Sequence, residues 1–321
     1  MLESEAIIVG AGPAGSTCAW KLRQMGIEVI LLDKQMFPRL KPCAGWITPK
    51  VLKDLNITAQ TYCHSLTYFD RLYFHFKGFK IPVPTKQFAI RRYELDNWLV
   101  QRSGVSLYQH QVNTIERQNG AYVLDGKFKC RYLVGAGGTG CRVYHELFKT
   151  ANPRAKERMI TTLEEEFQYP IYDHRCYLWY FDNGLPGYSW YVPKNGGFVN
   201  MGVGGKIMGL KRRKETIRFH WNLLTKKLEN LGLIKNHSYN PKGHNYYLRS
   251  NVTTFRVDNS FLIGDAAGLA TFDMGEGIGP AVQSGILAAE SIVHNVPYSL
   301  KSIGKYSFVN LLFPGRNYLK N

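Results

Sequence analysis

The first residues able to do chemistry lie near the start of the chain. Gly10-Ala11-Gly12-Pro13-Ala14-Gly15 is a G-x-G-x-x-G run between an apolar segment, EAIIVG, and a helix-like segment, STCAWKLRQMG. Gly10 permits a tight turn, Gly12 lets a pyrophosphate approach the backbone, and Gly15 lets helix and strand pack closely. Pro13 and Ala14 open a helix whose free N–H groups and positive dipole end receive phosphate. The matching acid, Asp33, ends the next apolar segment, IEVILLD, and Lys34 follows it. A carboxylate there hydrogen-bonds a ribose 2′-OH and disfavours a 2′-phosphate, so this pocket suits a dinucleotide other than NADP.

A second G-x-G-x-x-G run, Gly135 to Gly140, is followed by CRVYHELFKTANPRAKER, which holds no strand ending in an acid at the required distance. One complete dinucleotide site and no complete second one point to a tightly held FAD. Asp265 follows the buried segment SFLIG, where a carboxylate can accept hydrogen bonds from ribityl hydroxyls. Gly275, Gly277 and Gly279 allow close backbone approach to a flat ring. The helix from about Gly277, with Ile278 in its first turn, would aim its positive end at the flavin N1–C2=O edge and favour the anionic reduced ring.

These residues need elements to hold them. Strand, glycine turn, helix and strand within the first 33 residues begin a parallel α/β unit. Residues 66–85 alternate aromatic and polar and read as antiparallel strands, residues 92–103 as a helix, and 121–135 as two strands. Residues 161–204 are aromatic-rich strand material, 211–232 a basic amphipathic helix, 260–264 a late buried strand, and 277–294 a helix of mostly small residues. The expected fold is α/β: a Rossmann-like FAD-binding domain with an inserted antiparallel-sheet (α+β) substrate domain. The FAD domain takes residues 1–65, 86–150 and 250–321, and the substrate domain takes 66–85 and 151–249.

With 321 residues, 45% apolar and 20% charged, the chain has the composition of a globular protein and not of a disordered or collagenous one. No run approaches the ~18 uninterrupted apolar residues of a membrane span. The acidic start, MLESEA, is unlike a signal peptide, and six cysteines without a CxxC imply a reducing cytosol. The nine histidines form no HxH or HExxH pattern, so no metal is expected. The formal net charge is +17. Eleven Lys/Arg against two acids lie between Lys206 and Arg249, four of the basic residues at Lys211 to Lys214. That run is either a solvated face or a patch for a peripheral contact with an anionic membrane.

Residues 264–290, GDAAGLATFDMGEGIGPAVQSGILAAE, resemble the second FAD fingerprint of the para-hydroxybenzoate-hydroxylase-like flavoproteins, and within them the geranylgeranyl reductase family. The N-terminal motif, RYELD (Arg92–Asp96) and Tyr188-Ser189-Trp190-Tyr191-Val192-Pro193 fall in that family's order. The last segment resembles the reductases' YxWxFP pattern; flavin halogenases carry WxWxIP there. FPRLKPCAG (37–45) resembles the reductase loop that places a cysteine before small residues, with Trp46 where the family has a second glycine. The resemblance implies that Cys43 and Ala44 lie near the flavin, that Arg92 contacts FAD, and that the backbone near Val112 flanks the adenine. The superfamily's Asp-Gly pair in the loop 135–142 is replaced by Gly137-Gly138.

Cys43 then donates a proton, tunes the flavin or packs as a small hydrophobe. Tyr188 and Trp190, two apart on one strand face, form an aromatic wall at the substrate or ordinary core. The function implied is an FAD-dependent oxidoreductase. It would deliver hydride to carbon–carbon double bonds of a prenyl or other lipid-like substrate, with electrons from NAD(P)H or a reduced protein. A monooxygenase or halogenase on the same scaffold is the first rival. A basic nucleic-acid-binding protein is a rival of another class that leaves the FAD fingerprints unexplained, so no nucleic-acid partner is expected.

Overall fold

The computed structural model describes residues 1–307. The chain forms two eight-stranded sheets. In the first, Leu2–Val9 lies between Val29–Asp33 and Phe128–Gly135. Ser106–Gln109 and Ser260–Leu262 extend it on either side, and all these pairings are parallel. The strands read as continuous apolar runs because both faces are covered. Ile7 and Val9 enter one core cluster, and Ala6 and Ile8 enter another with the helices Pro13–Gln24 and Ile278–His294. Those two helices meet where neither has bulk: a Cβ on Gly285 would stand 2.5 Å from the Ala14 carbonyl oxygen.

The second sheet runs in the order Lys242–Tyr247, Met159–Gln168, Phe198–Lys206, Gly187–Lys194, Cys176–Tyr180, Leu66–Phe76, Phe79–Ile90, Trp46–Ile47. It is antiparallel except where Cys176–Tyr180 joins Leu66–Phe76. Trp46–Ile47 and the end of Phe79–Ile90 lie outside the segments 66–85 and 151–249 expected to carry this sheet. The strand Phe79–Ile90 carries prolines at 82 and 84. They are tolerated because the strand Phe79–Ile90 is an edge at that point, where a missing N–H costs no ladder bond.

Side chains alternate across this sheet. Leu163, Tyr191, Met201 and Val203 pack under the helix Ile217–Asn230, against Trp221, Leu224 and Leu228. Thr162, Glu164, Tyr188 and Trp190 occupy the other face and line a cavity shared with the glycine turn of the first sheet. The basic segment is two helices and not one. Ile207–Arg213 ends at Lys214, whose φ of 56° is left-handed, and Ile217–Asn230 restarts on Thr216, whose hydroxyl accepts from the Phe219 N–H. Pooling the residues from 211 to 232 as one amphipathic stripe hid that cap.

Candidate active site

The first glycine turn is forced by close contacts. Gly10 has φ +112°, and a Cβ there would lie 2.4 Å from the Ala136 oxygen. At Gly15 a Cβ would lie 1.8 Å from the Gly10 oxygen, so helix and turn could not close with any side chain present. Gly12 caps the helix Pro13–Gln24 with no side-chain bond and no acid in the first turn. Asp33 reaches back to this turn: its Oδ2 accepts from the Ala11 N–H at 2.8 Å and its Oδ1 from the Gln35 N–H at 2.9 Å. The carboxylate therefore stiffens the loop as well as facing the cavity.

Gly135–Gly140 is a wall of the same cavity. Its strand pairs with Leu2–Val9, and the next strand, Met159–Gln168, belongs to the other sheet. Arg154 holds this wall. Its guanidinium donates to the carbonyls of Thr139 and Ala266 and lies 3.5 Å from the Tyr144 ring centre. Nothing in the local sequence marks Arg154 for this, because its partners are backbone oxygens.

The C-terminal fingerprint closes on the same space. Gly264, at φ +58°, brings the strand end so near the first helix that a Cβ would meet Ala14 at 2.9 Å, and Asp265 follows it into the cavity wall. Gly275 is needed because a Cβ would fall 2.3 Å from the Tyr246 hydroxyl. Gly277 caps the helix Ile278–His294. Glu276 modifies the expected dipole site. Its Oε1 accepts from the Gly279 N–H at 3.2 Å and its Oε2 from the Ser307 hydroxyl at 3.1 Å, so one free amide of that helix end is already taken. Burial raises the Glu276 carboxyl above its usual range.

Arg92 opens the helix Arg92–Ser103 and grips Asp96 one turn on, at 2.6 and 2.7 Å. Burial opposes the guanidinium charge, and Asp96 more than offsets it. Arg39 adds a second cation 3.4 Å from Asp96. The Cys43 thiol accepts from the Gly45 N–H at 3.3 Å. Burial pushes this thiol up, and Arg92 pulls it partly back. Tyr188 donates its hydroxyl to the Met274 carbonyl at 2.6 Å and stacks on Tyr180 at 4.8 Å. Trp190 donates its indole N–H to Asn200 Oδ1 at 2.7 Å. Its ring fills the space that Gly202 leaves, where a Cβ would come within 2.2 Å of it. Lys41 Nζ lies 3.0 Å from His244 Nε2; burial lowers both groups, His244 to about 4.

All of these surfaces bound one cavity of about 1140 Å³. Of the residues singled out from the sequence, Gly10, Gly12, Pro13, Ala14, Asp33, Lys34 and Val112 line this cavity. Arg92, Asp265, Gly275, Gly277 and Ile278 line it too, as do Cys43, Ala44, Tyr188 and Trp190. Gly15 stands behind the wall and acts by packing. The cradle fits an FAD: two helix N-termini, at Gly12 and Gly277, and the cations Arg39, Lys41 and Arg92 converge on it, which suits a pyrophosphate and an electron-rich ring edge.

Residues 8–54 match the family described as NAD(P)-binding Rossmann-like domain, and residues 106–295 match the FAD binding domain family. The geranylgeranyl diphosphate reductase of Rhodobacter capsulatus is 27% identical over 308 residues, covering 90% of this chain and 75% of that protein. The crystal structure of a geranylgeranyl bacteriochlorophyll reductase-like protein from Thermoplasma acidophilum superposes with TM-score 0.77 at 20% identity, over 92% of this chain and 80% of that one. CmlS, a flavin-dependent halogenase, superposes with TM-score 0.69 at 18% identity, over 92% of this chain and 58% of its own. The two superpositions show a shared fold. With its FAD-domain match spanning more than half of its length, the chain belongs to the FAD-binding flavoprotein family and is an FAD-dependent oxidoreductase similar to the geranylgeranyl reductases.

Proposed function

We propose that the protein reduces carbon–carbon double bonds of a prenyl or other lipid-like substrate, drawing electrons from NAD(P)H or a reduced protein. The bound FAD, once reduced, supplies the hydride. One observation carries this reading. The cavity that holds the cofactor cradle is also lined by Tyr180, Phe181, Tyr188 and Trp190, aromatic side chains suited to an apolar chain. Phe181 is 57% exposed, and beside it the hairpin tip of Leu66–Phe76 and Phe79–Ile90 exposes Phe76 and Phe79.

In this reading the Tyr188–Trp190 wall excludes water from the reacting carbons. Tyr188, its hydroxyl bonded to Met274, holds a ring face there. Cys43, beside Arg92, donates a proton, tunes the flavin or packs against it. Membrane contact belongs to the same reading. Lys77 lies over the Phe76 ring, and Lys77 and Lys227 line a pocket with Phe76 and Phe181, a mixture that suits an anionic interface. Among the described residues no helix is long and apolar enough to cross a membrane.

The test is anaerobic. Holoprotein reduced by dithionite is mixed with a geranylgeranyl lipid, and the return of oxidised-flavin absorbance is followed. Reoxidation by the lipid supports the reading; its failure, with substrate-coupled oxygen uptake when the mixture is repeated in air, favours the monooxygenase or halogenase chemistry of the shared scaffold. Cys43→Ser should keep the yellow colour, and a slowing of reoxidation by about a hundredfold or more, the range of a general acid, would give the thiol the proton-donor role. Turnover at the parent rate would return Cys43 to a packing role.

A further inference from the structure

One carboxyl on the cavity wall has no task in this reading. Glu164 sits midway along Met159–Gln168, where alternation sends Glu164 and Glu166 to the cavity face and Glu165 to the other face, bonded to His237 at 3.1 Å. The two cavity-face carboxylates are treated very differently. Glu166 takes Lys194 Nζ on one oxygen and Arg91 Nε, at 2.9 Å, on the other. Glu164 is only 4% exposed and lines the cavity, yet its Oε2 has no hydrogen-bond partner among the described residues. The Asn200 amide beside it lowers this carboxyl without offsetting its burial.

Asn200 makes that position structural. Its Nδ2 also donates to the Cys43 carbonyl at 3.2 Å, and its Oδ1 accepts from Trp190. Asn200 thus links the neighbourhood of Glu164 to Trp190 and Cys43 on the cavity wall. Gly202, its register partner, leaves the room: a Cβ there would stand 2.7 Å from Glu164 Cβ and against the Trp190 ring.

The charged and titratable groups around Glu164 do not cancel its burial. Lys194 is committed to Glu166 and to the Ile90 carbonyl, and Lys41 is held by His244. Glu166 repels it, Cys43 and Tyr246 face it from the loop and from the edge strand, and Lys242, its partner on that strand, is exposed. Burial therefore dominates and raises the carboxyl to about 7. An acid of that strength is well matched to neutral pH, whereas the Cys43 thiol, pushed up by its own burial, is a poorer donor.

We propose that Glu164 is the proton donor of the cavity. The inference rests on the reduction reading above. Hydride from the reduced cofactor adds to one alkene carbon, and the π electron pair bonds the proton of Glu164 Oε2–H at the other carbon. The O–H pair stays on the carboxylate, which solvent re-protonates. The cofactor is oxidised by two electrons and the alkene reduced by two.

The test uses holoprotein and three variants: Glu164→Gln, which keeps a bond to Asn200 but loses the acid, Glu164→Asp, which keeps the acid, and Cys43→Ser. Anaerobic reoxidation by a geranylgeranyl lipid should fall about a hundredfold in E164Q and far less in E164D, within the usual range for a general acid. The parent rate should decline above about pH 7, and E164Q should lose that limb. Dithionite reduction should be unchanged. Independently of turnover, infrared spectra should show a protonated-carboxyl carbonyl band that titrates near neutrality and is missing in E164Q. An unchanged band, or E164Q turning over with the parent rate and pH profile, overturns the donor role alone. A parent protein that no prenyl lipid reoxidises overturns the reduction reading, and the donor role falls with it.

Discussion

Two carboxylates set the chemistry at the scale of single residues, and each has a consequence that can be measured. Glu164 carries a folded-state pKa of about 7 against an ordinary 4.5. Between those values the folded protein holds a proton that the unfolded chain has lost, so stability falls as pH rises through that window. The loss is complete above about pH 7 and amounts to a few kcal/mol at most. E164Q removes the titration. Thermal melts should show the variant gaining on the parent between pH 5 and pH 8; a constant difference would contradict the raised carboxyl. Asp33 acts instead as a hydrogen-bond acceptor at the glycine turn. Its two oxygens accept from the Ala11 and Gln35 N–H groups, and it lines the cavity beside Lys34. Asp33→Ala should weaken FAD binding by about 1–3 kcal/mol, the scale of a lost hydrogen bond to a charged group. Flavin released on dilution would measure it, and parental retention would mean that the carboxylate does not read the ribose.

At the scale of elements, close approach decides more than propensity does. The helices Pro13–Gln24 and Ile278–His294 touch through Gly285 and Ala14, and this contact brings two fingerprints separated by 250 residues into one cradle. Those motifs were legible in the sequence because glycine spacing is itself the signal. The Asn200 tie between Glu164 and Cys43 was not legible. It joins two strands and a loop through one amide, and only the sheet register reveals it. Arg154 and Glu276 were missed for a related reason: Arg154 bonds to backbone carbonyls, and Glu276 to a backbone N–H and to the hydroxyl of Ser307, distant in sequence. The basic segment was misread as one helix because Lys214 takes a left-handed conformation without a glycine to announce it. Its four basic residues, Lys211 to Lys214, are exposed at the end of a short helix away from the cavity wall. Replacing all four with Gln should leave flavin absorbance unchanged and weaken binding to anionic vesicles, by about 1 kcal/mol per residue near a charged surface. Equal vesicle binding would make the run a solvated face and leave the aromatic hairpin tip as the contact.

For the whole molecule, the division of labour follows the two sheets. The parallel sheet presents its strand ends and helix N-termini to the cofactor, as open α/β sheets do. The second sheet turns one face to its helix and the other to the cavity, which ends in aromatic residues at the surface. The sequence signals for the two halves differ in kind. Continuous apolar runs mark the parallel strands, whereas alternating aromatic segments mark the second sheet without fixing which strands pair. Its order, with Trp46–Ile47 on the edge, could not be read from spacing. A reductase and a halogenase share this architecture, so the identity of the product decides between them. The most direct measurement is mass spectrometry of a geranylgeranyl lipid incubated with holoprotein and a reductant, once without oxygen and once in air with halide. The account predicts a product gaining two hydrogens per double bond in the anaerobic sample, with no oxygenated or halogenated product in the other. Unchanged lipid in the first and an oxygen or halogen adduct in the second would contradict it.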